Sequence, residues 1–308
     1  QMCIRDRNFS EVTKTLQDIR SGKIKEGERL GVPEIDEHIR FKEGNFNVVL
    51  GHANVGKTTV ILYLMLCYSK KLKKRWLIYS SENESHSIIR KLVEFLDLKP
   101  LNKISEVDFK NHLEFINDHF KIIDNNTLYS YRSLLELSKH IKAAWDYNGL
   151  LIDPYNSLIK DPDLIKNLGG HEYDYQATSE IRMFCKENNI TTWLNTHANT
   201  GALRVKHPMG HEYAGHPIPP LASDVEGGGK FVNRADDFIV IHRYTQHLTN
   251  WMESHVHIRK VKEIETGGRP TSIDDPIKMR SIPNNVGFEI NGVKLIKEPL
   301  REPTKIPF

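Results

Sequence analysis

Short apolar runs alternate with helical patterns along the first two thirds of the chain. Strand-like runs lie at residues 46–50, 76–80, 120–123, 150–153 and 191–196. Between them, apolar residues recur at helical spacing over residues 57–69, 86–97, 131–146 and 174–188. Strands that alternate with helices of this length are typical of a parallel sheet covered on both faces. The pattern therefore predicts an α/β fold with a mainly parallel, twisted sheet flanked by helices.

The pattern changes after residue 236, where the segments FIVIHR and VHIRKVK precede a hairpin, FEI-NG-VKL. Its Asn291-Gly292 pair suits a type I′ turn, which indicates an antiparallel C-terminal extension at the sheet edge. At the other end, residues 8–21 carry apolar residues at helical spacing and a polar linker follows. We expect residues 1–7 (QMCIRDR) to be non-native or fragment-end sequence, residues 8–27 to be a linker helix and linker, residues 28–300 the core and residues 301–308 a tail.

Two connections, residues 157–173 and 198–230, are long and polar. Connections of this length inside a compact domain are uncommon unless they are functional. Both follow strands of the parallel set, so both are expected at the carboxyl edge of the sheet, where such folds bind ligands.

Composition narrows the class of protein. The chain has 308 residues, 43 Lys and Arg against 40 Asp and Glu, and a formal net charge of +3. This balance argues against a histone-like DNA wrapper but not against DNA contact through a few loops. Three cysteines without a CxxC pair argue against a disulfide framework or a cysteine zinc site and favour a reducing, cytoplasmic setting. No run approaches 18 uninterrupted apolar residues, so we expect no contact with a membrane.

One segment matches a phosphate-binding loop in full. Residues 51–58, GHANVGKT, fit GxxxxGK[ST], follow an apolar run and open a helical pattern, which is the context that the motif requires. Backbone N–H groups and the helix N-terminus surround phosphates there. Lys57 reaches the β- and γ-phosphates, and the Thr58 hydroxyl ligates Mg²⁺. The predicted nucleotide-binding residues are Gly51, His52, Ala53, Asn54, Val55, Gly56, Lys57, Thr58 and Thr59.

Polar residues at the ends of other strands supply the remaining parts of a nucleoside triphosphatase. Asp153 ends an apolar strand, as in a Walker B segment, and is predicted to hold Mg²⁺ through water beside Thr58. Glu82 follows the strand WLIYS and is the predicted acceptor of the attacking water's proton, with Glu84 as its rival. His197 ends the strand TTWLNT, where a polar tip can sense the γ-phosphate.

Six blocks in fixed order carry a family resemblance. They are ERLGVPEIDEHIRFKEGNFNVVLGHANVGKTT, YSSENE, LLIDPYNSL, WLNTHANT, SDVEGGGKFVNRADDFIVIHR and IRKVKEIETGG. Over about residues 28–297 they resemble the RecA-like core of ring-shaped replicative helicases, namely DnaB-like proteins and phage-type or mitochondrial primase–helicases. The resemblance implies a RecA-like P-loop NTPase that uses ATP and Mg²⁺ between subunits of a ring, often a hexamer, to translocate on single-stranded DNA and unwind duplex. A compact core of this kind would suit a phage.

The resemblance also assigns roles to individual residues. Glu82 falls on the family's catalytic base, Asp153 on its Walker B carboxylate and His197 on its γ-phosphate sensor. Lys260 falls on a family lysine, and Lys262 falls where an arginine finger from the neighbouring subunit usually sits. A lysine lacks the planar fork of arginine, so Arg259 or Arg269 stays an alternative to Lys262. Arg243 matches a position that packs near the nucleotide base.

In such rings, DNA is gripped by loops of the central channel, and the ring works with other replication proteins. The candidate DNA contacts lie on the two long connections and are Lys160, Lys166, Arg204, Lys206 and Lys230. Such basic loops bind phosphates with little dependence on sequence. The expected partners are single-stranded DNA, further copies of the chain, and a primase or polymerase. The N-terminal helix resembles the linker helix by which one subunit docks on the next.

Two other functions remain open. A RecA- or RadA-like recombinase would use a similar phosphate loop and would form filaments. A non-processive ATP-dependent loader or switch would hydrolyse ATP without stimulation by DNA. A metal site is a weaker hypothesis, because eight of fifteen histidines lie between residues 197 and 257 but neither cysteine nor a fixed helical register supports it. The glycine-rich block and the Lys-x-Lys strand favour the helicase interpretation.

Overall fold

The structure is a computed structural model, and it describes residues 9–21, 26–264 and 267–297. The expectations for residues 1–7 and 301–308 lie outside the described residues, as does part of the linker after residue 21. The helices are α1 Phe9–Arg20, α2 Pro33–Asp36, α3 Lys57–Leu72, α4 Ser85–Asp97, α5 Glu106–His119, α6 Tyr131–Ala144, α7 Pro162–Asn188 and α8 Lys230–Arg234. The strands are β1 Phe46–Gly51, β2 Trp76–Ser80, β3 Phe120–Ile122, β4 Gly149–Asp153, β5 Thr191–His197, β6 Asp237–Arg243, β7 Glu253–Val261, β8 Ile277–Ser281, β9 Phe288–Ile290 and β10 Val293–Lys294.

All ten strands form one sheet in the order β10-β9-β8-β7-β6-β1-β5-β4-β2-β3. The neighbours from β6 to β3 are parallel, whereas β7 to β10 continue the sheet from β6 in antiparallel pairs. The central strand β1 pairs with β5 on one side and β6 on the other. In this register, Val48 lies beside Leu194 of β5 and Phe238 of β6. The predicted α/β class and its antiparallel C-terminal extension are confirmed.

The sheet has an apolar core on each face. On β1, Val49 faces the side covered by α3 and α4, while Val48 and Leu50 face the side covered by α6, α7 and α8. This division follows from the two-residue period of a strand buried on both faces. Helix α3 is surrounded by apolar contacts, with Ile61 and Met65 fully buried. Its first turn, and the loop before it, are therefore held rigidly against the sheet.

The prediction of a structureless connection over residues 157–173 is wrong. Helix α7 begins at Pro162, and only Gly169 leaves helical geometry, with φ 73° and ψ 165°. Leu164 and Ile165 pack against the apolar core on that face, which stabilises the helix despite its polar composition. By contrast, the connection after β5 contains only two short 3₁₀ turns before α8, as predicted for a loop.

Four elements were not predicted from the sequence: the short helices α2 and α8, helix α5 and strand β8. Helix α5 has few buried residues, but Ser105 caps its N-terminus by accepting a hydrogen bond from the Asp108 amide. Strand β8 alternates buried and exposed residues, with Met279 buried. Across the described ranges, no helix combines the length and the apolar character that crossing a bilayer requires.

Candidate functional site

The turn between β1 and α3 has the backbone of an anion-binding loop. Asn54 and Gly56 adopt left-handed conformations, with φ 62° and 86°, which turns successive N–H groups toward one side. Gly51 has no room for a side chain, because a Cβ atom there would lie 2.5 Å from the Ile241 carbonyl oxygen. Gly56 precedes α3 and offers no side chain to the first-turn N–H groups. These groups can therefore serve a phosphate.

Lys57 lies inside this loop rather than in open solvent. Its side-chain amine donates to the carbonyl oxygens of Gly51 at 3.0 Å and His52 at 2.9 Å. His197 Nδ1 is 3.4 Å from the same amine. Burial lowers the pKa of Lys57 below that of a solvated lysine, and the carboxylates of Asp153 and Glu82 oppose this shift. The loop thus holds one cation beside its convergent N–H groups.

Thr58 and Asp153 come together as a pair of oxygen ligands. The Thr58 hydroxyl donates to Asp153 Oδ2 at 2.8 Å, and Asn195 Nδ2 donates to Oδ1 at 2.7 Å. Burial raises the pKa of Asp153, while both hydrogen bonds favour its ionised form. A hydroxyl and a carboxylate fit Mg²⁺, which keeps several waters and binds substrate phosphates. No cluster of three or more protein ligands occurs in the described part of the chain, so such an ion would rely on nucleotide and water for its other ligands.

Glu82 and His197 complete a continuous polar path. Glu82 follows β2, its side chain is 54% exposed, and its Oε1 lies 3.4 Å from His197 Nε2. His197 therefore stands between the Glu82 carboxylate and the Lys57 amine, with one ring nitrogen near each. The rival carboxylate, Glu84, is the N-cap residue of α4. The geometry favours Glu82 over Glu84, because Glu82 contacts His197, which in turn contacts Lys57 of the phosphate loop.

Three polar residues near this path were missed by sequence reasoning. Asn195 holds Asp153, and Ser80 Oγ lies 3.4 Å from Asp153 Oδ2. Asn156 Oδ1 accepts from the His197 backbone N–H at 3.2 Å. The signal for Asn195 was present: it is a polar residue inside a buried strand, two positions before His197 and so on the same face.

The C-terminal end of strand β7, which carries Lys260, lies at the opposite edge of the sheet from the phosphate loop. Strand β7 runs antiparallel to β6, and Val261 pairs with Asp237 at the amino end of β6. There Lys260 donates to the carbonyl oxygens of Val232 and Ala235, both at 2.7 Å. Burial lowers its pKa. Lys260 thus closes the C-terminal end of α8, which is a structural task.

The other finger candidates differ in how their charges are held. Lys262 has a 40% exposed side chain, and its amine lies 3.5 Å from Asp236 Oδ1. Arg269 donates to the Glu37 carboxylate through Nε at 3.0 Å and also through Nη2. Arg259 is partly buried in β7, and burial lowers its pKa. Among the four basic residues, Lys262 is both exposed and held by one long ion pair.

Arg243 ends β6 at the carboxyl edge, on the strand beside β1. Its guanidinium lies 5.9 Å from the Trp251 ring centroid and donates to the Trp251 carbonyl oxygen. Burial lowers its pKa. Arg243 is therefore at the same edge as the phosphate loop, the position that a contact with a nucleotide base requires.

The basic residues of the two connections fall into two groups. Lys166, Arg204 and Lys206 are exposed. The Lys160 side chain is also exposed, and its amine lies 3.5 Å from Asp174 Oδ1. Lys230 does not share the exposure expected of a DNA contact, because its side chain is only 4% exposed and its amine lies 3.7 Å from Asp174 Oδ2. It opens α8, which packs against α7, so its charge is held internally.

The mainly parallel sheet, its flanking helices and the phosphate loop after β1 identify the fold as that of a RecA-like P-loop ATPase. One solved ATPase domain matches 92% of this chain and 98% of its own length, with a TM-score of 0.73 and 15% identity. A DnaB-like replicative helicase, solved in a study of its interactions with primase, matches 92% of this chain and 66% of its own, with a TM-score of 0.70 and 15% identity. The KaiC-like protein PH0186 from Pyrococcus horikoshii OT3 matches 87% of this chain and 99% of its own, with a TM-score of 0.55 and 17% identity.

The resemblance to DnaB-like proteins is confirmed at the level of the fold. Among curated proteins, the chloroplastic/mitochondrial Twinkle homolog protein of Arabidopsis thaliana is 25% identical over 228 residues, or 70% of this chain. The chain spans about 30% of the length of that relative. No family model matches the chain.

Proposed function

We propose that the chain is the ATP-dependent motor of a ring-shaped replicative DNA helicase. The observation that carries this proposal is the polar path Lys57–His197–Glu82, which lies beside the Thr58–Asp153 pair at the carboxyl edge of a RecA-like sheet. The DnaB-like structural neighbours and the Twinkle homolog support the same function.

In this proposal, the loop 51–59 binds the phosphates of ATP, and Thr58 and Asp153 hold Mg²⁺. The ion would supply charge neutralisation on the transferred phosphoryl group. Lys57 moves from the carbonyl oxygens of Gly51 and His52 to the phosphates, a short movement because its amine already lies inside the loop. Burial lowers the pKa of Lys57, and a bound phosphate would oppose this shift because opposite charge favours the ammonium form.

Glu82 would position and deprotonate the attacking water. Its carboxylate is exposed toward the edge where the phosphates bind and has no tight ion pair, because the contact with His197 is 3.4 Å long. A carboxylate in this setting can accept a proton and release it to solvent. His197 would sense the γ-phosphate, since it contacts both Lys57 and Glu82 and ends a strand that leads directly into the loop after β5.

The neighbouring subunit would complete the site. Lys262 lies at the sheet edge opposite its own phosphate loop, so it can reach a phosphate only in another subunit. It is exposed and held by one long ion pair, whereas Lys260 and Arg269 are occupied by close partners. We therefore assign the finger to Lys262. Helix α1, with Phe9 and Leu16 exposed, would dock on the next copy to close the ring.

Single-stranded DNA would pass along the exposed basic side chains of the two connections. The exposed residues Lys160, Lys166, Arg204 and Lys206 would contact phosphates, and repetition around a ring would multiply their modest charge. A primase is a candidate partner, because the DnaB-like neighbour was solved in a study of its interactions with primase. A polymerase is the second candidate.

The test measures ATP hydrolysis and unwinding of a forked duplex by the purified chain. We expect hydrolysis to rise with single-stranded DNA, and displacement of one strand to require ATP. Electron micrographs taken with an ATP analogue and DNA should show closed rings. Filaments would instead support a recombinase. Hydrolysis that does not respond to DNA would support a loader or switch.

A further inference from the structure

A cavity of about 310 Å³ lies beside the site, between the turn after β4 and the glycine loop before α8. Three tyrosines form its walls, Tyr131, Tyr155 and Tyr173. The rings of Tyr131 and Tyr173 meet edge to face at 5.6 Å. Ile159 also lines the cavity and is 44% exposed, so the cavity is accessible from solvent on that side. We call this cavity the tyrosine pocket.

The charges of the tyrosine pocket are divided between its interior and its rim. Inside, the buried Asp174 carboxylate accepts from the Tyr155 hydroxyl at 2.8 Å and lies 3.7 Å from the Lys230 amine. At the rim, the exposed Lys160 amine lies 5.5 Å from the centroid of the Tyr173 ring. The Lys160 amine also lies 3.5 Å from Asp174 Oδ1, so this exposed cation stands between the aromatic wall and the interior carboxylate.

This combination suits part of a nucleic acid strand. Aromatic side chains bind unstacked bases in a way that tolerates any sequence, and a nearby lysine binds the backbone phosphate. The cavity is large enough for a single planar base. A fully apolar ligand would not use the exposed Lys160 amine beside the Tyr173 ring, and a phosphate alone would not use the tyrosine walls.

The tyrosine pocket is joined to the nucleotide site by one side chain. Asn156 lines the pocket, and its Nδ2 donates to Glu226 Oε2 at 2.9 Å. Its Oδ1 accepts from the Thr196 hydroxyl at 3.0 Å and from the His197 backbone N–H at 3.2 Å. A ligand that displaces Asn156 or Glu226 therefore acts directly on the residue between Lys57 and Glu82.

We propose that the tyrosine pocket takes up one unstacked nucleobase of the bound DNA strand, and that Asn156 transmits its presence to His197. The inference rests on the proposed function, since it assumes that a single strand crosses the carboxyl edge. It goes further in one respect: the strand is held by a base as well as by its phosphates. Asn156 is a positioning residue, because it touches His197 rather than the reacting atoms.

The first test compares two ligands on the unaltered chain. The probes are fluorescent oligothymidylate and an abasic strand of equal length and charge, bound in the presence of an ATP analogue. We expect the abasic strand to bind about 10-fold more weakly, the effect of losing a base–aromatic contact. Equal affinity would overturn the proposal, because phosphate contacts alone would then explain binding. Competition by free thymidine monophosphate at low concentration would also overturn it, since the occupant would be a free nucleotide.

Variants assign that loss to the tyrosine pocket. Ile159→Trp fills the mouth from a partly exposed position, and we expect it to weaken oligothymidylate binding about 10-fold and to abolish the difference between the two ligands. Tyr173→Ala should do the same, while Tyr173→Phe keeps the ring and the affinity. The matched control is Tyr175→Ala on the same helix, whose ring packs against Arg234 outside the pocket. A persistent difference between the ligands in Ile159→Trp would place the base elsewhere and overturn the assignment.

The relay has a separate readout. In the unaltered chain, oligothymidylate should stimulate ATP hydrolysis more than the abasic strand does at saturating concentrations. In Asn156→Ala, both strands should stimulate hydrolysis equally, while the tighter binding of oligothymidylate is retained. An unchanged ratio of stimulation in Asn156→Ala would overturn the relay. If the unaltered chain binds no DNA at all, the proposed function itself has failed, so the two failures are distinguishable.

Discussion

The two edges of the sheet both carry clustered charges, but they hold them differently. At the carboxyl edge, Lys57, His197 and Glu82 are linked by contacts of 3.4 Å, and carbonyl oxygens at the start of the phosphate loop hold the lysine. At the amino edge, the Asp236 carboxylate accepts from Arg182 Nη2 at 2.7 Å and from the Phe46 amide at 3.1 Å. The Lys57 amine at the carboxyl edge can exchange its carbonyl partners for a phosphate. At the amino edge, most of the charged groups are held by close contacts that join parts of the fold to one another.

Lys260, near the end of β7, and Lys262, just after the strand, show this difference two residues apart. Lys260 binds carbonyl oxygens at the end of α8, and its charge is used inside the subunit. The Lys262 amine lies 3.5 Å from Asp236 Oδ1, and its side chain stays 40% exposed. Position in a motif did not separate them, but the partners of each amine do. The amine with the looser contact inside its own subunit, that of Lys262, is the one better able to bind another molecule.

The largest effect is expected from Lys57→Ala. Removing the cation inside the phosphate loop should lower kcat for ATP hydrolysis by about 10³-fold, because charge on the phosphates loses its fixed partner. Hydrolysis is measured by phosphate release with saturating DNA. The matched control is Lys70→Ala, an exposed lysine near the end of the same helix, which should keep full activity. A comparable loss of ATP hydrolysis in both variants would contradict the specific role of the lysine in the phosphate loop.

Glu82→Gln should lower kcat by about 10²-fold through loss of the general base. Binding of ATP should persist, since the amide is close in size to the carboxylate and no phosphate contact is lost. The control is Glu84→Gln, which changes the N-cap residue of α4 and should hydrolyse ATP normally. If Glu84→Gln were the slower variant, the base would be Glu84.

The next comparison separates Lys260, near the end of β7, from Lys262, just after the strand. Lys260→Ala should lower the free energy of unfolding by about 2 kcal/mol, because buried carbonyl oxygens lose a charged donor. Lys262→Ala should leave that free energy within about 0.5 kcal/mol, as for an exposed ion pair, yet abolish most hydrolysis. Denaturant titration and phosphate release measure the two effects. A stable Lys260→Ala variant with lost activity would instead make Lys260 the finger.

The smallest effect concerns pH and the part of β6 and β7 near the carboxyl edge. Burial lowers the pKa of His242 to about 3 and that of His257 to about 2. The unfolded chain binds protons near pH 6.5, so each histidine should lower the free energy of unfolding by about 1.4 kcal/mol per pH unit as pH falls below that value. His242→Phe should reduce this slope, as measured by denaturant titration from pH 7 to pH 5. An unchanged slope would show that His242 is not buried as described.

Much of the fold and site followed from local patterns. The strand ends that carry Glu82, Asp153 and His197 were predictable, because parallel strands present their carboxyl ends at one edge. The N-terminal half of α7 was not, since its polar composition conceals the packing of Leu164 and Ile165. The burial of Lys230 was equally hidden, because its partner Asp174 is distant in sequence. Tertiary partners, rather than local propensity, decided these cases.

Mixing two inactive variants tests the central claim that one subunit completes the site of the next. Lys57→Ala lacks a working phosphate loop but keeps its finger, and Lys262→Ala lacks the finger but keeps its loop. When the two are combined with DNA, some sites contain an intact loop beside an intact finger. We predict that the mixture recovers part of the unaltered rate of hydrolysis although each variant alone has almost none. No recovery, in mixtures shown to form joint assemblies, would contradict the account.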